Sequence, residues 1–253
     1  MIKVIILGTG NVGMHLIRVF SEAHDVELVQ VYNRTKSGLK SLNNEIDTTT
    51  SLKELKEADI YILTITDDAI SKFSSQLVIE NKLLVHTSGS VTMDTLKSKS
   101  NRGVFYPVQT FSKETAIDFK AIPICIEAER NDDLVILEKL ASTISNQVYY
   151  IDSEQRKQIH LAAVFVNNFV NHLYKIGNDI CAAHAIPKSI LKPLIRETSR
   201  KITHTTPLDA QTGPARRSDL QTIKSHLALV SDTNKEIYKL LTQSIQQTYG
   251  EKL

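Results

Sequence analysis

From Ile2 to about Ile151, short apolar and β-branched runs alternate with amphipathic stretches, as βαβ units around a mostly parallel sheet require. Residues 3–7, 27–32, 60–65, 83–86, 103–106, 122–127 and 147–151 are the expected strands. These runs are nearly all apolar rather than alternating, which fits strands covered on both faces. Beyond Asp152 the strand-like runs stop, and apolar residues recur three and four positions apart. The pattern predicts a long helix over 153–184, with Ile159, Ala163, Val166, Val170, Leu173, Ile176 and Ile180 along its stripe, and a second helix opened by Pro187 and running to about residue 204. A loop over 205–214 holds two prolines and a glycine. Helices over 216–229 and 233–249 follow, the last started by Thr233 with Glu236 at capping-box spacing. The expected class is α/β: a doubly wound parallel sheet over 1–152, then an all-α domain over 153–253.

Gly8-Thr9-Gly10-Asn11-Val12-Gly13 fits GxGxxG directly after an apolar strand and before a helix with Leu16, Ile17 and Phe20 on its inner face. In that setting each glycine has a task. Gly8 permits the tight turn, Gly10 lets the backbone approach a pyrophosphate, and Gly13 allows close packing of helix on strand. The helix N-terminus offers free N–H groups and a positive dipole. The sheet is therefore expected to be a Rossmann domain, with Gly8, Thr9, Gly10, Asn11, Val12 and Gly13 as cofactor contacts.

At the end of the second strand an acid selects NAD by binding its ribose hydroxyls. Here Tyr32 runs into Asn33-Arg34-Thr35-Lys36. With the acid missing and a guanidinium in place, Asn33, Arg34 and Thr35 point to the 2′-phosphate of NADP(H). The bland alternative makes Arg34 and Lys36 solvated loop cations.

Composition narrows the partners. Thirty Lys and Arg against 28 Asp and Glu, net charge +2 and without a block of like charge, give no nucleic-acid arm. Cys125 and Cys181 have neither CxxC nor Cys/His spacing, so no disulfide framework and no metal site is indicated. No leader is expected before the first strand, and no run of about 18 apolar residues occurs. A cytoplasmic protein with no membrane span and no nucleic-acid partner is expected.

Strand, GTGNVG turn and Asn33-Arg34-Thr35 together resemble the superfamily of 6-phosphogluconate dehydrogenase and pyrroline-5-carboxylate reductase. Across nearly its whole length the chain resembles the Rossmann-like oxidoreductase family whose helical C-terminal half is a domain of unknown function. The resembling segments are Leu63 to Ile70, His86 to Ser90, Tyr106 to Phe111, His160 to Ala163 with Asn167-Asn168, and Thr212 to Asp219. The resemblance implies an NADP(H)-binding protein, dimeric through its helical domain, with substrate held between the halves; it supplies no substrate. Two departures matter. Val164 stands where the 3-hydroxyacid dehydrogenase branch has a catalytic lysine, and the glycine- and threonine-rich motif of the pyrroline carboxylate site is absent.

Ligands of open α/β sheets bind beyond the carboxyl ends of the strands, where Ile65, Thr66, Asp67, His86 to Gly89 and Tyr106 to Gln109 fall. Ile65, Thr66 and Ser88 are expected cofactor contacts. His86 is a candidate proton carrier or, equally, a ring that holds its own loop. Leu161 to Val170 is apolar nearly all round, which predicts burial in the domain or a dimer core. On that helix His160, Val164, Asn167 and Asn171 share a face. Catalytic readings make His160 the proton donor and Asn167 or Asn168 the orienting amide; the structural alternative has them fix the register of the helices. Arg216, Arg217 and Asp219 either bind an anionic substrate or tie a helix start. The expected function is an NADP(H)-dependent oxidoreductase moving a hydride between nicotinamide and a small carbonyl or imine, as a homodimer. The alternative is a non-catalytic NADP(H)-binding sensor.

Overall fold

A computed structural model describes residues 1–43, 45–112 and 115–249, so the last residues of the expected helical domain, 250–253, lie outside the described residues. The apolar runs form strands β1 (Ile2–Leu7), β2 (Val26–Tyr32), β3 (Thr48–Thr49), β4 (Ile60–Leu63), β5 (Leu83–His86), β6 (Asn101–Pro107), β7 (Ile124–Ala128) and β8 (Val148–Tyr150). β3 was not anticipated: two threonines leave no apolar run to read. One sheet holds all eight in the order β3-β2-β1-β4-β5-β6-β7-β8. Pairing is parallel from β3 through β6, then antiparallel between β6 and β7 and parallel again to β8.

Side chains of a strand alternate between faces, so each apolar run feeds two cores. Val4, Ile6, Ile60, Ile62, Leu83 and Val85 pack on one side with Leu16, Ile17 and Phe20 of α1 (Asn11–Glu22). On the other side Ile5, Leu7, Tyr61, Leu63 and Leu84 pack with Ile70 of α2 (Asp67–Ser74). Helix α3 (Asn131–Ile144) returns to the first side with Leu137, Leu140 and Ile144. The continuous hydrophobicity of β1, β4 and β5 is thus the signature of a doubly wound sheet.

Helix α4 (Ser153–Ala163) starts at Asp152, whose carboxylate accepts from Gln155 N at 2.8 Å while the Gln155 side chain accepts from Asp152 N, a full capping box. Residues Val164–Phe169 form a π turn before α5 (Val170–Ala183), in place of the uninterrupted helix expected. A π turn takes one more residue than an α turn, so positions beyond it slip by one. Asn168 rather than Asn167 then continues the line of His160, and the expected shared face of His160, Val164 and Asn167 is not kept. The stretch is also not buried within this chain, since Leu161 and Val166 are 53% and 74% exposed.

Further on come α6 (Lys192–Lys201), α7 (Pro207–Ala210) inside the expected loop, α8 (Leu220–Leu229) and α9 (Asp232–Tyr249). α8 begins later than expected because Asp219 caps it through Thr222 N at 3.0 Å. α9 begins at Asp232, so Thr233 lies inside the helix and is not its cap. By contacts the chain divides into two compact units, Met1–Asn168 and the residues from Phe169 onward, whereas the change of sequence pattern falls at Asp152. No described helix is long and apolar enough to cross a membrane.

α4 stays with the sheet because of one buried cation. Arg156 is fully buried; its guanidinium pairs with Glu127 of β7 and donates to Val91 O at 2.6 Å and Ser153 Oγ at 3.1 Å. Ser153 Oγ in turn donates to both Glu127 oxygens. Removing one partner leaves the other charge buried alone, which costs about 3 to 5 kcal/mol. Arg156→Met is expected to lower urea stability by that amount. A loss under about 1 kcal/mol would show the pair to behave as a solvated one.

Candidate functional site

The strand order β3-β2-β1-β4-β5-β6 reverses direction between β1 and β4, and the crevice of an open α/β sheet lies at such a point. Leu7, Leu63, His86 and Val104 stand in register across β1, β4, β5 and β6, so the loops that follow share one edge. At that edge Gly8 has φ 122°, a region that favours glycine, and a Cβ there would lie 2.6 Å from Thr64 O. Thr64 Oγ1 donates to Gly8 O at 2.8 Å, and a Cβ on Gly13 would come within 2.5 Å of the same hydroxyl. Thr64 is therefore the residue against which the turn and α1 close, and nothing in the sequence pattern singled it out.

Gly10 differs from both: a Cβ there would meet only Thr64 O, at an ordinary 3.5 Å. Gly10 and Asn11 are exposed, whereas Thr9 and Gly13 are buried and Val12 is half-buried. α1 opens with no side-chain cap and no acidic residue in its first turn, so its N–H groups and positive dipole end face outward uncompensated.

After β2, Asn33 Nδ2 donates to Thr35 O at 2.9 Å and to Thr35 Oγ1 at 3.3 Å, and Thr35 Oγ1 meets Ser37 Oγ at 3.0 Å. The loop closes on its own side chains and leaves Arg34 exposed. No ion pair engages Arg34 or Lys36 among the described residues.

The edge continues through β4 and β5. Thr66 is exposed at the start of α2 and Ile65 is half-buried. Ser90 Oγ donates to Asp67 at 2.5 Å, which ties the two loops together. Ser88 uses its hydroxyl to accept from Ser90 N and Val91 N, both at 3.1 Å. His86 is wholly buried; its Nδ1 accepts from Ser88 N at 3.2 Å and its Nε2 donates to Thr92 O at 3.3 Å. Both nitrogens are thus spent on its own loop, the second of the two readings open in the sequence.

Tyr106, at the end of β6, meets Nδ1 of His160 on α4 through its hydroxyl at 3.3 Å, the rings edge to face at 6.3 Å. The sequence identified His160 but not this partner. Burial raises the Tyr106 phenol above its usual pKa, Cys125 adds to the rise, and the Arg156 guanidinium opposes it. Asn167 and Asn168 are exposed.

Elsewhere, Asp219 accepts from Thr222 N and, at 2.7 Å, from Thr222 Oγ1, which holds its carboxyl below the usual range. Arg216 donates to Gln211 O and lies 5.3 Å from the centre of the Tyr249 ring. These residues fasten a helix start and a turn. No group of His, Cys, Asp and Glu able to hold a metal occurs among the described residues.

A glycine turn at the switch point of a doubly wound sheet, closing an uncapped helix N-terminus, defines the Rossmann class of dinucleotide-binding domains. Residues 3–162 match the semialdehyde dehydrogenase NAD-binding domain, and residues 122–245 match a domain of unknown function, DUF2520. The chain belongs to this Rossmann family, continued by a DUF2520 region. It is 39% identical to BF3122 of Bacteroides fragilis, provisionally classed as an NADP oxidoreductase, over 97% of this chain and 98% of that one, with a TM-score of 0.89. It shares its fold with a reductive aminase of Aspergillus terreus in complex with NADPH and ethyl levulinate (14% identity, 100% and 95% coverage, TM-score 0.71). The fold also recurs in the 1-pyrroline-5-carboxylate reductase of Streptococcus pyogenes (12% identity, 98% of each chain, TM-score 0.63). No protein of curated function matches the chain.

Burial, and next to it the Arg156 charge, lowers the pKa of His86 to about 4, against a partial rise from its bond to Thr92. The unfolded ring takes up a proton near pH 6.5, whereas the folded one does so only near 4. Its contribution to stability is therefore complete above about pH 6.5 and is lost as pH falls toward 4. Between pH 7 and pH 5 the loss is about 2 kcal/mol. Urea unfolding at the two pH values should show this drop in the natural chain and a much smaller one in His86→Asn; equal drops would refute the assignment.

Proposed function

We propose that the chain is an NADP(H)-dependent oxidoreductase that moves a hydride between the nicotinamide and a small carbonyl or imine substrate. The observation that carries this reading is the Gly8–Thr64–Gly13 junction, which leaves Gly10 and the open N-terminus of α1 free to meet a pyrophosphate. Gly10 is glycine although no neighbouring protein atom requires it, and close approach of a ligand backbone accounts for the missing side chain. The NADP(H) assigned to BF3122 and the NADPH of the reductive aminase complex agree with it.

When bound, the cofactor supplies hydride chemistry, and the protein supplies position and one proton. Gly8, Thr9, Gly10, Asn11, Val12 and Gly13 would hold the pyrophosphate, and Asn33, Arg34 and Thr35 the 2′-phosphate. Ile65, Thr66 and Ser88 would border the nicotinamide half. His160 would give the proton to the substrate heteroatom, with Asn167 or Asn168 on the adjoining π turn orienting the substrate; π turns recur at functional sites. His86 is left out of this machinery because both its nitrogens are occupied.

We further infer a cytoplasmic homodimer, in keeping with two buried free thiols. Among the described residues from Phe169 onward only Cys181 and Ala215 are buried, while Leu194, Ile202, Leu229 and Leu240 are half exposed or more. Five helices with so little core need a second copy to cover them. Light scattering at micromolar concentration should return twice the chain mass, and a monomer mass overturns the dimer.

Loss of NADPH absorbance against a panel of 2-oxo acids, aldehydes and cyclic imines tests the activity. At least one member should be reduced, with His160→Asn slower by about two to four decades at unchanged NADPH affinity. Tight binding without turnover of any member would make the chain a sensor instead. Arg34→Ala should weaken NADPH by about one to two decades and leave NADH nearly unchanged, since bonds to a charged group contribute roughly 1.5 to 3 kcal/mol. Equal losses for both cofactors would show Arg34 to serve the fold.

A further inference from the structure

We propose that Gly89 and Tyr106 are the positioning residues of His160. The bare backbone of Gly89 leaves the space in which the Tyr106 hydroxyl meets Nδ1, so that Nε2 is the nitrogen that exchanges a proton. The inference rests on the reading of His160 as proton donor.

A Cβ on Gly89 would stand 2.6 Å from His160 Nδ1, 2.7 Å from Tyr106 Cζ and 2.8 Å from Tyr106 Oη. All three distances are below those that real Cβ atoms tolerate, and two of the three atoms form the hydrogen bond itself. Neither ring has an easy way out. Tyr106 is anchored in β6, which is hydrogen-bonded to β7 on one side and follows β5 on the other. α4 is held by the buried Arg156–Glu127 pair one helical turn before His160. Gly89 itself sits between Ser88, which accepts two backbone N–H bonds, and Ser90, which is tied to Asp67. Three rigid elements therefore converge on a space that only a glycine leaves open.

The hydroxyl suits this place because it donates and accepts. Kept neutral by burial, Tyr106 donates to Nδ1 of the uncharged ring, which puts the ring proton on Nε2. When the ring is an imidazolium, Nδ1–H donates to the same phenol oxygen. Proton release then breaks the Nε2–H bond and forms one bond from that proton to the substrate oxygen or nitrogen. The ring is left neutral with Nδ1–H still bonded to Tyr106, and solvent returns a proton to Nε2. The two electrons of the reduction travel with the hydride, so the balance closes without another reactant. Nε2 has no hydrogen-bond partner among the described residues, as the exchanging nitrogen requires.

The test uses the full chain labelled with ¹⁵N-histidine and no cofactor. The neutral His160 ring should show the Nε2–H tautomer with Nδ1 displaced by an accepted hydrogen bond. Tyr106→Phe should abolish that displacement. Gly89→Ala, which touches neither ring chemically, should do the same, and the double variant should move Nδ1 no further. An Nδ1 resonance unmoved by Tyr106→Phe, or additive effects in the double variant, overturns the proposal. Should Gly89→Ala lower the melting temperature so far that it is not folded, Tyr106→Phe decides alone. With any substrate found in the panel, Gly89→Ala should lower kcat about a hundredfold at unchanged NADPH affinity. Absence of all turnover would remove the enzymatic reading and leave the resonance result to judge the pair.

Discussion

A single buried guanidinium fixes where the start of α4 meets the sheet. Arg156 joins β7, the loop after β5 and the start of α4, and so brings His160 to the strand ends where Tyr106 emerges. Burial of an ion pair is costly in itself, because both charges leave water. Part of the cost is offset by a network in which Glu127 also accepts from Ser153 and the guanidinium also serves Val91, while the buried Nε of Arg156 has no hydrogen-bond partner among the described residues. The same charge reaches His86, Tyr106 and Cys125, lowering the pKa of each. Burial dominates all three, and it raises Cys125 to about 11, so that thiol stays protonated.

The second constraint is steric. At the switch point the chain closes a turn, a helix and a neighbouring strand within one residue's width, with Thr64 touching both Gly8 and Gly13. At the next two strand ends Gly89 allows the same kind of approach between two side chains. Omitted Cβ atoms thus shape the edge twice, once where backbone meets a helix N-terminus and once where a phenol meets an imidazole. The loop of His86, Ser88 and Ser90 lies between these places and is stiffened by its own hydrogen bonds. His86 uses both ring nitrogens in that loop, whereas Nε2 of His160 has no hydrogen-bond partner among the described residues.

Beyond Phe169 the balance changes. Asp219 caps α8, yet the apolar side chains of these helices find little cover among the described residues. The Met1–Asn168 unit, by contrast, carries two full cores of its own.

The alternation of apolar runs and helical stretches, the glycine spacing and the Asn33-Arg34-Thr35 turn were legible in the sequence because each rests on local rules: period, φ and the chemistry of adjacent side chains. The doubly wound sheet follows from them. β3 escaped notice because two threonines make no pattern, and the π turn because a single extra residue leaves the apolar spacing nearly unchanged over a short helix. Thr233 and Glu236 had capping-box spacing, yet α9 begins one residue earlier, at Asp232. A charged residue one turn into a capped helix reads as solvated, so Arg156 was invisible, although a lone glutamate at the end of the apolar strand Ile124–Ala128 was a signal that it needed a partner. Tertiary structure alone decided which histidine holds a loop and which meets Tyr106, and why position 89 must be glycine. Those facts depend on atoms from three elements far apart in the chain meeting within a few ångströms, and no periodicity along the sequence encodes such a distance.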